Sequence, residues 1–129
     1  MAIKISPWFF VAGTILFTVF GQVAMKWQLS KPEIVAQLAT AAGSDKLTIY
    51  AKLLLNPVIL AAYASAFLAS LSWMLAIEKL SISTAYPFMA LNFVLVAIAG
   101  ALLFAERIQP QQVLGICVIV IGVIIVGRG

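Results

Sequence analysis

The chain has 129 residues, 64% of them hydrophobic and 9% charged, a net charge of +4 and a mean hydropathy of +1.15. Soluble domains carry charge on about a quarter of their residues, so this composition excludes a soluble globular protein and fits an all-α membrane protein with room for four spans of about 20 residues each. Histidine is absent, the lone Cys117 lies in an apolar run and no two carboxylates sit close enough in sequence for hydrolysis, so nothing points to an enzyme, a cofactor or a metal.

The sequence reads as a single transmembrane domain over residues 1–129. The first span is expected at about 7–26, as a retained anchor rather than a cleaved signal, because the apolar run is long and reaches Lys26 and Trp27 without a small-residue cleavage site. Within it Thr14, Thr18, Gln22 and Lys26 recur every four residues and stack into one polar stripe, with Gly21 beside it. Either the threonines bond back to their own helix while Lys26 snorkels, or the stripe forms the wall of a polar site.

Residues 28–56 are too polar to span and form an interfacial segment. Ser30-Lys31-Pro32-Glu33 resembles a capping box for a first short helix that stops at Gly43. Asp45 is placed to cap a second helix, whose Leu47, Tyr50 and Leu54 dip into the headgroup boundary while Lys46 and Lys52 stay wet.

Asn56-Pro57 opens the second span, 57–77. Ala61, Ser65, Ala69, Ser72 and Ala76 give it a small-residue face for close helix packing, and Tyr63, Ser70 and Trp73 lie on another side, suited to stacking on or bonding a ligand. For Tyr63 an interfacial anchor is the alternative. A short turn leads to the third span, 84–104, where Pro87 loosens the start of the helix and Tyr86 and Asn92 bring polar groups into an apolar run. Asn92 is either interhelical glue or a substrate contact. The fourth span, 111–127, carries Gly115 and Gly122 on one face, a pattern for a packing or dimerisation seam. Three basic residues, Lys4, Lys79 and Arg128, share the side of the termini, and five, Lys26, Lys31, Lys46, Lys52 and Arg107, lie on the other, so the count favours a cytoplasmic long loop. The spread of these charges argues for membrane anchoring and against nucleic-acid binding.

This pattern resembles the small four-helix members of the drug/metabolite transporter superfamily along every span. The run Gly21-Gln22-Val23-Ala24-Met25-Lys26 is similar to the ending of the first span in small multidrug resistance proteins, as are Ser83-Thr84-Ala85-Tyr86-Pro87 and the Gly115 to Gly122 spacing. Ala85 to Val94 followed by Glu106 is more similar to the EamA-like subunits of the undecaprenyl-phosphate aminoarabinose flippase. Proton-coupled relatives carry a glutamate midway along the first span; aligned on the Gly-to-Lys ending, that position here is Thr18, so the resemblance does not extend to proton-for-cation exchange.

The resemblance implies a transporter or flippase of the bacterial inner membrane, working by alternating access on a polyprenyl-phosphate-linked sugar. Thr14, Thr18, Gln22, Tyr86 and Asn92 would bond the sugar, Trp73 or Tyr63 would stack on it, and Lys26 with Arg107 would attract the phosphate. Glu106, paired with Arg107 or Lys26, would gate one end. One chain is small for such a cargo, so the resemblance implies a homodimer or a heterodimer with a similar subunit, packed through Gly115 and Gly122, amid membrane lipids. The alternatives are an exporter of hydrophobic cations or small metabolites and a non-transporting accessory subunit.

Overall fold

Four helices begin with proline at the first turn, where its missing N–H is no loss and its fixed φ suits a helix: Pro7, Pro32, Pro57 and Pro110. A computed structural model describes residues 4–129 as α1 (Pro7–Leu29), α2 (Pro32–Thr40), α3 (Ser44–Leu54), α4 (Pro57–Ile77), α5 (Ile82–Ala85), a 3-10 segment (Tyr86–Ala90), α6 (Leu91–Leu103) and α7 (Pro110–Arg128). The described residues form no strand, and four helical stretches are long and apolar enough to cross a membrane: Pro7–Leu29, Pro57–Ile77, Ile82–Leu103 and Pro110–Arg128. The all-α membrane architecture expected from composition is therefore present, with two short helices between the first and second spans.

The helix starts differ from expectation in their chemistry. Asn56 caps α4 as expected, its Oδ1 accepting from the Val58 amide at 2.9 Å. Ser30 does not cap α2: its hydroxyl donates to the Lys26 carbonyl at 2.6 Å, closing the end of α1, and Lys31 takes the cap position without a side-chain bond. Nor does Asp45 cap α3, which starts after Gly43; that glycine has φ of 60°, a conformation it reaches without steric cost. The start of α7 is closed by reciprocal bonds between Gln109 and Gln112 that sequence reading did not foresee.

The third span is not one continuous helix. Pro87 cannot donate the helical bond to Ser83, and the chain tightens through Tyr86–Ala90 into 3-10 geometry between α5 and α6.

The closest packing is between α1 and α4, which run antiparallel. A Cβ on Gly13 would meet the Ser72 Oγ at 3.5 Å, and one on Gly21 would lie 3.1 Å from the Ala62 carbonyl oxygen. Between these points the Ser65 hydroxyl donates to the Phe17 carbonyl across the seam at 2.6 Å. The small face of α4 is Ala62, Ser65, Ala69 and Ala76, all buried; Ala61 is exposed and Ala62 takes its expected place. Towards the end where α1 begins and α7 finishes, Val11, Ile15, Ala76 and Ala85 form a buried cluster surrounded by Phe10, Trp73, Leu80 and Phe88. Phe88 is seated between helices: its ring stands edge-on to Trp8 at 4.7 Å, and its tip lies 2.9 Å from where a Cβ on Gly127 would be.

The outer helices are different. Only 6% of the apolar window in the third and fourth spans is buried, against 22% in the first and second, so α6 and α7 direct most of their Leu, Ile and Val side chains outward. Such surface is stable only against lipid or another apolar helix.

Gly21→Leu is expected to force α1 away from the α4 backbone and to cost about 1–3 kcal/mol of stability. The measurement is thermal unfolding of the purified protein in detergent. Gly122→Ala, whose Cβ meets nothing within 4 Å, is expected not to lower the unfolding temperature.

Candidate functional site

With its Gly13/Gly21 face given to α4, α1 turns its neighbouring face, the polar stripe, towards open space. The 3-10 segment and α6 stand on the far side of that space, and α4 and α6 do not pack extensively on each other. A cavity of about 800 Å³ opens between them. Of the residues singled out in the sequence, Thr14, Thr18, Gln22, Tyr63, Ser70, Trp73, Tyr86 and Asn92 all line it.

The stripe contributes in a restricted way. The Thr14 hydroxyl donates to the Phe10 carbonyl at 2.8 Å and that of Thr18 to the Thr14 carbonyl at 2.7 Å. Their donors are thus committed to their own helix, and what remains for a ligand is acceptor capacity on Oγ1. Gln22, one turn further on, is not so committed.

Opposite, Trp73 and Tyr86 meet edge-to-face with ring centroids 6.0 Å apart, an aromatic corner between α4 and the 3-10 segment. Tyr63 and Tyr86 are both exposed. Asn92 lines the cavity while its Oδ1 is buried without a hydrogen-bond partner, an arrangement that costs about 1–3 kcal/mol unless a partner is supplied. The remaining lining is apolar and includes Met25, Ala66, Met89 and Phe93, which sequence reading did not assign to a site because nothing distinguishes them from core residues. No Asp, Glu, Lys or Arg lines the cavity among the described residues.

Charge stands at one end instead. Lys26 follows Gln22 by one turn of α1, and its Nζ pairs with Oε1 of Glu106 at 3.3 Å. Of the two partners open to Glu106 in the sequence, the structure selects Lys26. Arg107 makes no ion pair among the described residues and lines a second, smaller cavity of about 350 Å³ between α6 and α7, together with Glu106, Gln112 and Gly115. Gly115 and Gly122 have nothing within 4 Å of their would-be Cβ atoms, so neither contributes to packing within the chain.

The chain matches the model of the EamA-like transporter family over residues 1–128. It is 30% identical over 126 residues to "Probable 4-amino-4-deoxy-L-arabinose-phosphoundecaprenol flippase subunit ArnE" of Pseudomonas savastanoi, covering 94% of this chain and 96% of that one. The ArnE of the same description from Pseudomonas aeruginosa is 34% identical over 115 residues, covering 89% and 91% of the two chains. A protein described as the corresponding subunit ArnF, from Aeromonas hydrophila, is 32% identical over 120 residues, covering 92% of this chain and 77% of its own. No solved structure matches the chain.

Both side chains of the Lys26–Glu106 pair are about half exposed, 55% and 51%. Pairs of this kind stabilise a fold by under about 1 kcal/mol. Lys26→Gln and Glu106→Gln are therefore each expected to leave the unfolding temperature within a few degrees of the parent, so that larger effects of these variants on activity report on the site and not on folding.

Proposed function

Because the chain belongs to the EamA-like transporter family, we propose that it is one subunit of a flippase that moves a polyprenyl-phosphate-linked sugar across the bacterial inner membrane. The observation that carries this reading is the chemistry of the large cavity: hydrogen-bonding and aromatic side chains without a carboxylate, and a lysine at its end. Relatives described as flippase subunits for an aminoarabinose-phosphoundecaprenol support it.

Each part of such a lipid finds a fitting environment. Sugar hydroxyls donate to the free acceptor sites of Thr14 and Thr18 and exchange bonds with Gln22 and Asn92, while Trp73, Tyr86 and Tyr63 cover the C–H faces of the ring. The phosphate meets Lys26, with Arg107 as a second cation on the same side of the membrane. The prenyl tail need not enter the protein, because the gap between α4 and α6 leaves it in the bilayer while the head group crosses. A hydrophobic cation would find no counter-charge in the cavity, and Thr18 cannot exchange a proton for it.

The relatives are named as subunits of two kinds, and the outward apolar faces of α6 and α7 have room for a companion. The reading is a dimer with a similar small subunit, in which the two halves alternate access to the cavity.

Translocation of a polyprenyl-phosphate sugar by the reconstituted complex in proteoliposomes tests this. Lys26→Ala removes a charge-assisted contact worth about 1.5–3 kcal/mol and is expected to reduce the initial rate by about tenfold or more at low substrate. Ala66→Trp is expected to fill the cavity and abolish translocation without unfolding the protein. Absence of lipid-sugar movement by the parent complex, together with efflux of hydrophobic cations, would make the protein a cation exporter instead.

A further inference from the structure

The way Glu106 is held calls for more explanation than an exposed ion pair does. After α6 ends at Leu103 the chain reverses onto the helix. Ala105 adopts φ of 53°, a left-handed conformation that side chains with a Cβ avoid. The Glu106 amide then donates to the Gly100 carbonyl at 3.1 Å, an oxygen that also accepts from the Phe104 amide at 3.1 Å. The reversal lays the Glu106 side chain across Gly100, which is buried beneath it. A Cβ on Gly100 would lie 2.5 Å from Glu106 Oε2 and 3.3 Å from its carboxyl carbon, so only glycine leaves space for the carboxylate there. The other carboxylate oxygen, Oε1, faces Lys26 Nζ at 3.3 Å.

Three local features thus converge on a single result: a strained residue, a shared carbonyl and a glycine niche aim one carboxylate at one lysine. The left-handed residue and the shared carbonyl also close the C-terminal end of α6, as helix ends commonly do, whereas the half-exposed pair itself contributes little to the fold. Such a pair is also easily exchanged: the phosphodiester that joins a sugar to a polyprenyl chain carries one negative charge and two terminal oxygens, as a carboxylate does, and can take the carboxylate's place on an ammonium group.

Resting on the flippase reading, we propose that Gly100 and Ala105 are positioning residues that hold Glu106 as a displaceable counter-ion for Lys26. In the empty site the carboxylate neutralises the lysine. An arriving phosphate head group takes its place on Nζ, and the carboxylate, kept within reach by the turn, competes for the lysine again and speeds release. Glu106 also borders the second cavity, into which it can withdraw when displaced.

The test is the affinity of the purified complex, in nanodiscs, for a short-chain polyprenyl phosphodiester of a hexose, measured by titration calorimetry. Glu106→Gln removes the competing charge while keeping its shape, and is expected to bind the probe about twofold to fivefold more tightly than the parent. Gly100→Ala, which evicts the carboxylate from its niche, is expected to act in the same direction, and combining it with Glu106→Gln to add nothing further. Lys26→Gln in the Glu106→Gln background is expected to remove the gain. A purely structural role for Glu106 predicts unchanged or weaker binding by Glu106→Gln, and that result, with the parent binding normally, overturns the proposal while leaving the flippase reading intact. Should Gly100→Ala fail to fold, Glu106→Gln alone decides. Failure of the parent itself to bind the probe overturns the flippase reading and this inference with it.

Discussion

Everything in this molecule is arranged around the close approach of α1 and α4. In a bilayer apolar surface gains little by leaving lipid for protein, so two helices stay together through packing and hydrogen bonds. Gly13 and Gly21 let the backbones come near, and the Ser65 hydroxyl reaches the Phe17 carbonyl at 2.6 Å. That contact fixes the rotation of α1 about its axis. Once the glycine face is committed to α4, the row Thr14, Thr18, Gln22 must look sideways into the gap, and Lys26 must emerge at its end. The cavity is therefore a by-product of a packing decision made on the neighbouring face of the helix.

The same commitment explains the division of labour between the halves of the chain. The first and second spans supply the rigid wall. The third supplies a wall with a break in it, because Pro87 forbids a regular helix where Tyr86 and Phe88 are presented, just before Asn92 opens α6. The fourth is bound mainly through α6 and the 3-10 segment and faces outward over most of its surface. A helix so lightly tied to its own chain acquires the rest of its contacts from outside, which agrees with relatives that are named as subunits.

Much of this was legible in the sequence, for physical reasons that differ from residue to residue. Long apolar runs marked four stretches able to cross a membrane, since so many consecutive apolar residues have few other uses in a chain of this size. The stripe on α1 was visible because polar residues at every fourth position in an apolar helix stand out. The small face of α4 was read at Ser65, Ala69 and Ala76, where it lies, and missed only at its first position, where Ala62 and not Ala61 is buried, because adjacent alanines carry no polar contrast to separate them. The caps failed where side chains had competing partners: Ser30 bonds backward to Lys26, and a glycine with positive φ leads into α3 where Asp45 was expected to. Nothing in the letters around Ala105 announces a left-handed residue, so the turn that aims Glu106 could be seen only in three dimensions.

The 3-10 geometry of Tyr86–Ala90 has a mechanical meaning. A 3-10 helix rises about 2.0 Å per residue and turns 120°, against about 1.5 Å and 100° in an α-helix. These five residues are consequently about 2.5 Å longer, and wound by about 100° more, than the same stretch would be as α-helix. One wall of the cavity is thus a short, overwound thread whose pitch sets where Tyr86 and Phe88 stand, and the α1–α4 seam is its frame.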